Sequence, residues 1–344
     1  MTKEETTVFK GIAMLLMLIH HLFMDSTTLE VMNVHSLCST NTLLVIASTS
    51  KICVAIFIFV SSYGIASSNS SKDTSYISRR IIKILLPFMF VYVLAAIAAI
   101  CSGQWRAIYG NNFLSIIYYC FLDLFGLANL FGTPTLNGTW WYMSYALFLP
   151  VIIIFLLAIY KKIGSIGIIV VGIYIPACLG VEEVSPYRWW MLTIILGIIA
   201  AKNNLFEKIK TLKHRNVFCA IVILLIIPVA YVRYGIGGYW ILDAMLVIPV
   251  ALIAIIFYKI PIIKSFLYEI GLNSYYMFLT HSFIFYYYFR KFIYSWKYDV
   301  AILSVLLICS YLLAKSITLL YKVLNISKLE QFLLSKITGY ERWN

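Results

Sequence analysis

The chain has 344 residues, of which 62% are hydrophobic and 12% charged, with a mean hydropathy of +0.91. Soluble domains are about half apolar and a quarter charged, so this composition excludes a soluble fold and calls for a polytopic membrane protein. The formal net charge of +13 does not signal nucleic-acid binding, because the cations sit in short loops between apolar runs, where membrane orientation explains them.

The first apolar run opens the chain. No small-residue cleavage site follows it, so it is read as a first transmembrane helix and not as a signal peptide. It carries Lys10 and, eleven residues later, His21. At 100° per residue that interval is about three turns, which puts both on nearly one face, roughly 16 Å apart. His20 points a quarter-turn away. An ionisable group inside a span is a functional-site hypothesis by default; the plainer alternative is an imidazole packed against a neighbouring helix and bonded to a carbonyl. Asp25 follows His21 by four residues, on the same face. It could orient the imidazole and raise its basicity, or simply mark the outer helix end.

Further runs near the ~20 residues of a span lie at about 52–67, 84–101, 139–160, 163–180, 189–201, 217–232, 239–258, 274–289 and 300–317, after the first at 8–24. The run at 114–131 is ambiguous, being interrupted by Asp123 and weakened by Gly126. The positive-inside rule arbitrates. If 114–131 does not span, most of the 27 Lys and Arg residues fall on the side of the N-terminus; if it spans, most fall opposite. The expected fold is therefore an all-α transmembrane bundle of about ten spans with both termini cytoplasmic. The run at 114–131 becomes a re-entrant or interfacial helix. Stretch 259–273 reads as a short amphipathic piece at the inner surface, and 322–344 as a helix lying on the membrane face. No repeat or long linker divides the chain, so 1–344 is read as one domain. The seven cysteines show no CxxC and no metal-ligand spacing and read as packing residues.

Three more places carry potential chemistry. Arg79, Arg80 and Lys83 precede a span that enters through Pro87, and could face an anionic ligand such as a nucleotide diphosphate or a lipid headgroup. Trp140, Trp141 and Tyr142 stand at the outer start of a span, where aromatic residues gather anyway but could also stack a sugar ring. His281 lies about two turns into its span, at a depth comparable to His21. The intramembrane acids Asp123 and Asp243 are candidate partners for these histidines.

Taken in order, these pieces resemble the acyltransferase 3 family of integral-membrane O-acyltransferases, which modify bacterial surface glycans. Lys10-Gly11-Ile12-Ala13 with His21 is similar to the family's first-helix signature. Phe57 to Gly64, with Ser61 and Tyr63, resembles its second-helix pattern. Arg79-Arg80-Ile81-Ile82-Lys83 with Pro87 looks like the basic pair before the third helix. Trp140-Trp141-Tyr142 resembles the middle-helix entry, and Met277-Phe278-Leu279-Thr280-His281 the late Leu-x-His segment. Lys10 replaces the commoner Arg, Thr7 stands at a frequent Asp position, Ser62 replaces Gly, and Lys83 replaces the second Arg.

The resemblance implies acyl transfer, most often of acetyl, from a cytoplasmic acyl-CoA co-substrate to a sugar hydroxyl of a surface polysaccharide or its lipid-linked precursor, in the bacterial cytoplasmic membrane. No bound cofactor and no metal is implied. Lys10, Arg79, Arg80 and Lys83 would hold the CoA phosphates. His21 would act as general base or acyl relay, helped by Asp25, while His281 would polarise the carbonyl or orient the acceptor. Trp140, Trp141, Tyr142, Ser61 and Tyr63 would line the substrate path. Besides donor and glycan, membrane lipids are the partners. The alternatives are a transporter or flippase for an anionic glycolipid, whose histidines would relay protons, and an inactive membrane scaffold.

Overall fold

A computed structural model describes residues 1–237 and 239–338. These are all-helical, with 81% of residues in helices and no strand among the described residues. Length and composition qualify seven helices as spans, or eight if the bent pair Pro186–Lys202 and Leu205–Thr211 is one crossing. The expected ten differ for identifiable reasons. The count of seven takes Gly138–Cys178 as one 41-residue stretch, but Gly164, at φ 68° and ψ −165°, separates two helices within it, in keeping with the expected runs at 139–160 and 163–180. The Pro261–Ser282 helix is missing from the seven and carries Lys264, Glu269 and His281. It also corrects the expectation of a separate surface piece at 259–273: Pro261 occupies the first helical turn, where its missing N–H costs nothing, and no break follows. The run at 114–131 holds a helix over Phe113–Leu124, 12 residues. At 1.5 Å per residue that is roughly 18 Å, too short to cross a hydrocarbon core of about 30 Å.

The backbone falls into two compact units, one of Met1–Ser68 with Phe155–Tyr311, the other of Asn69–Ile154 with Leu312–Asn344. In the first unit, the Lys3–Phe23 helix starts in a capping box: the Thr2 hydroxyl accepts from Glu5 N, and Thr2 N donates to the Glu5 carboxylate. Two orphan donors are thereby satisfied reciprocally. This helix packs chiefly along Pro261–Ser282. A methyl group on Gly11 would collide with the Leu267 carbonyl, and one on Gly271 with the Thr7 carbonyl. The backbones therefore touch through glycine, the close approach that small residues permit between membrane helices. Lys264 Nζ donates to the Glu4 carboxylate at 2.9 Å, 260 positions away in sequence, and His21 faces His281 at the same separation. The two helices run parallel and in register from their first turns to their histidines.

Elsewhere in this unit the Cys53–Ser67 and Met191–Lys202 helices meet at Ser62 and Gly197, where any side chain at 197 would strike the Ser62 hydroxyl. In the second unit, Asp73 caps the Thr74–Cys101 helix by accepting from Tyr76 N. That helix packs against Phe113–Leu124 and against Ile326–Thr338. The expected membrane-face helix over 322–344 is represented by Ile326–Thr338; its last residues, 339–344, lie outside the described residues. All seven cysteines are free thiols.

Candidate active site

Three imidazoles meet in the first unit. His21 lies between His20, at a ring-centroid distance of 5.2 Å, and His281, at 5.1 Å. Phe285 closes on both His21 (6.0 Å) and His281 (5.9 Å). The register of the two glycine-bearing helices sets the His21–His281 pair, and the residues after His281 form a π-helical turn, Phe283–Tyr288, a feature frequent at functional sites.

The hydrogen bonds fix two of the three tautomers. His281 Nδ1 lies 2.8 Å from the Phe278 carbonyl and 3.2 Å from the Met277 carbonyl. Carbonyls only accept, so Nδ1 carries the proton, and Nε2 presents a lone pair. That Nε2 is fully buried and has no partner. His20 Nδ1 lies 2.9 Å from the Ala47 carbonyl, so it too is protonated there. His21 has neither constraint and keeps part of its surface open, whereas His281 is 0% exposed. A neutral His281 with its proton committed to the backbone cannot polarise a carbonyl through Nε2; it can only accept there.

Asp25 sits beyond the end of the first helix and caps the Ser26–Val31 helix, accepting from Thr27 N and from the Thr28 hydroxyl. Those bonds, the Thr28 hydroxyl foremost, hold its carboxyl below the usual range. Thr28 in turn accepts from Arg290, and Tyr294 donates to the Leu22 carbonyl at 2.9 Å. Asp25 thus helps to tie the turn after the first helix to the segment following His281, and its oxygens are engaged there instead of at His21.

The acids expected as histidine partners have other partners. Asp243, 0% exposed, pairs with Arg233, itself 2% exposed. Its second oxygen accepts from Trp189 Nε1 at 2.9 Å. Arg233 also donates to the Ser48 carbonyl (2.8 Å) and hydroxyl (3.0 Å), next to the Ala47 carbonyl that holds His20. Arg233 stands one residue past the expected 217–232 span; the signal for it is an arginine abutting an apolar run ten residues before an intramembrane aspartate. Asp123 belongs to the second unit, where it accepts from the Tyr109 hydroxyl (2.6 Å), the Thr135 hydroxyl (2.8 Å) and Leu136 N (2.8 Å).

Of the remaining residues, Lys10 is partly buried in the first unit. Tyr63 accepts from the N-terminal amine at 2.7 Å, and Ser61 donates to its own helix at Phe57 O. In the second unit, Arg79 and Arg80 each spend Nε close to home, on the Ser75 carbonyl and the Tyr76 hydroxyl, and Lys83 is exposed. Trp140 is 3% exposed and meets Phe88 edge-on at 4.9 Å, so its faces are taken by the protein. Trp141 is partly exposed and borders a cavity of about 90 Å³ with Asp123, Asn129 and Thr135.

A family described as an acyltransferase domain matches the chain over residues 5–320. No curated protein and no solved structure matches it.

Proposed function

The chain belongs to the acyltransferase 3 family as a multi-pass membrane acyltransferase, and from that premise we propose that it moves an acetyl group from acyl-CoA to a sugar hydroxyl of a surface polysaccharide or its lipid-linked precursor. The observation that carries this reading is the partly open His21 set against the tautomer-fixed, unpartnered Nε2 of His281.

His21 is the general base. It takes the proton of the acceptor hydroxyl as that oxygen attacks the thioester carbon. The C–S bond then breaks, and the imidazolium returns the proton to the departing thiolate, so that acyl-CoA and alcohol become ester and CoA thiol. His281 accepts an N–H of His21 at Nε2 when the acceptor is bound, which leaves the other nitrogen of His21 as the base. Such bonds are often loose before substrate arrives. Asp25 shapes the outer turn and takes no part in the chemistry. Arg79, Arg80 and Lys83 hold the CoA phosphates, the arginines through the terminal nitrogens their Nε bonds leave over; Lys10 supports the donor from the first helix. Within the second unit Trp141 and Tyr142 contact the substrate, with Trp140 held in the protein beside them; within the first unit Ser61 and Tyr63 do so. Both termini lie in the cytoplasm of a bacterial cell, the protein being in its inner membrane.

The test incubates purified protein with radiolabelled acetyl-CoA and extracted envelope glycan, following label in glycan and free CoA together. Equal release of CoA and gain of label supports the reading. Absence of CoA release with acetyl- and longer acyl-CoA, alongside glycolipid movement in proteoliposomes, would replace it with the transporter alternative.

A further inference from the structure

Between the Arg215–Leu224 and Trp240–Tyr258 helices of the first unit lies a groove of about 620 Å³ that no step above uses. Cys219, Ala220 and Ile223 form one wall, Leu252 and Ile256 the other, and Phe206 also lines it. Three- and four-residue spacing gives each helix one continuous apolar strip, and the small side chains of Cys219 and Ala220 leave the room between them. The Arg215–Gly235 span has only 11% of its most apolar window buried in protein, so this wall belongs to a helix that faces lipid.

Charge is confined to one end. Lys210, Arg215 and Lys259 rim the groove there. Lys210 is shared with Glu207 at 2.9 Å and Glu5 at 3.5 Å. Among the described residues, Arg215 and Lys259 have no carboxylate within 4.0 Å. An occupant must be a long apolar chain with negative charge at one end. An acyl-CoA would lay a polar pantetheine arm against apolar walls. A zwitterionic lipid would bring an ammonium beside the uncompensated Arg215 and Lys259.

We propose that this groove binds a diacyl phospholipid with an anionic headgroup, of the phosphatidylglycerol type, its phosphate between Arg215 and Lys259 and one acyl chain along the strip from Cys219 to Ile256. Basic pockets between membrane helices recognise such headgroups. The proposal is independent of the acyl-transfer reading and its test needs no activity.

Cys219 reports on the groove directly. In the full-length protein in detergent, its alkylation by a maleimide is followed by peptide mass spectrometry, with the exposed Cys178 as reference. Phosphatidylglycerol should slow Cys219 alkylation about tenfold and leave Cys178 unchanged. Phosphatidylcholine of the same chains should need about ten times the concentration, and glycerol phosphate should have no effect. In Arg215→Gln/Lys259→Gln the two lipids should become equivalent. Equal protection of the wild type by both lipids would overturn the proposal, as would protection by glycerol phosphate alone or displacement of phosphatidylglycerol by equimolar polyprenyl diphosphate. The wild-type comparison decides the matter even if the double variant does not fold.

Discussion

His20 and His21 are neighbours in sequence with opposite engagements. His20 donates its Nδ1 hydrogen bond to the Ala47 carbonyl, while His21 lies beside the His281 ring, whose Nε2 is unpartnered. The eleven-residue interval from Lys10 was readable from the sequence because helical geometry alone separates the two histidines. The tautomers were not, since they depend on which carbonyl a ring happens to meet. The same limit applied to Asp25: its spacing from His21 fits a helix that continues, but the helix ends at Phe23 and the carboxylate turns to the next N-terminus. Asp25→Asn keeps an oxygen able to cap, and acyl transfer by that variant should stay within about threefold of wild type. His281→Phe keeps the volume and removes the acceptor. It should lower kcat by about tenfold or more, within the range general acid–base groups supply, and leave the KM for acyl-CoA near its original value. A matched loss in both variants would put Asp25 back in the chemistry.

At the scale of elements, glycine decides which helices touch. The Lys10-Gly11 pair was legible as a motif, but its reason is the Leu267 carbonyl lying where a methyl would go. Gly11→Ala should destabilise the protein by roughly 1–3 kcal/mol through overpacking and cut transfer by pulling His21 from His281. Gly64→Ala, with nothing within 4 Å of the added carbon, should be neutral or slightly stabilising. Thermal unfolding in detergent distinguishes the two. Ser62, a departure from the family's usual glycine, has its counterpart in Gly197, which yields the space. Gly197→Ala should therefore be destabilising alone and partly rescued by Ser62→Gly; additive losses would contradict a shared contact. The start of the Pro261–Ser282 helix was harder to read, because Lys264 and Glu269 in its first half mask it as a surface piece, whereas Lys161-Lys162 marked the break that falls at Gly164.

On the scale of the whole molecule, the apolar surface explains residence in the bilayer but not the order of the bundle, since lipid tails compete equally for apolar side chains. Buried polar ties supply that order. In the first unit Arg233 and Asp243 join the helices that carry Ser48, Trp189 and themselves. Arg233→Met strands a buried carboxylate and should cost roughly 3–5 kcal/mol, whereas Arg233→Met with Asp243→Leu should recover most of it. A double variant no more stable than the single one would contradict the pairing. The family match over residues 5–320 runs through both units, and the proposed chemistry rests on the histidines of the first. Initial rates of labelled acetyl transfer for wild type, His20→Ala and His21→Ala at saturating acetyl-CoA decide whether His21 is the base. His21→Ala should lose 10²-fold or more, in line with removal of a general base, while His20→Ala keeps most of the rate. A dead His20→Ala beside an active His21→Ala would contradict that role.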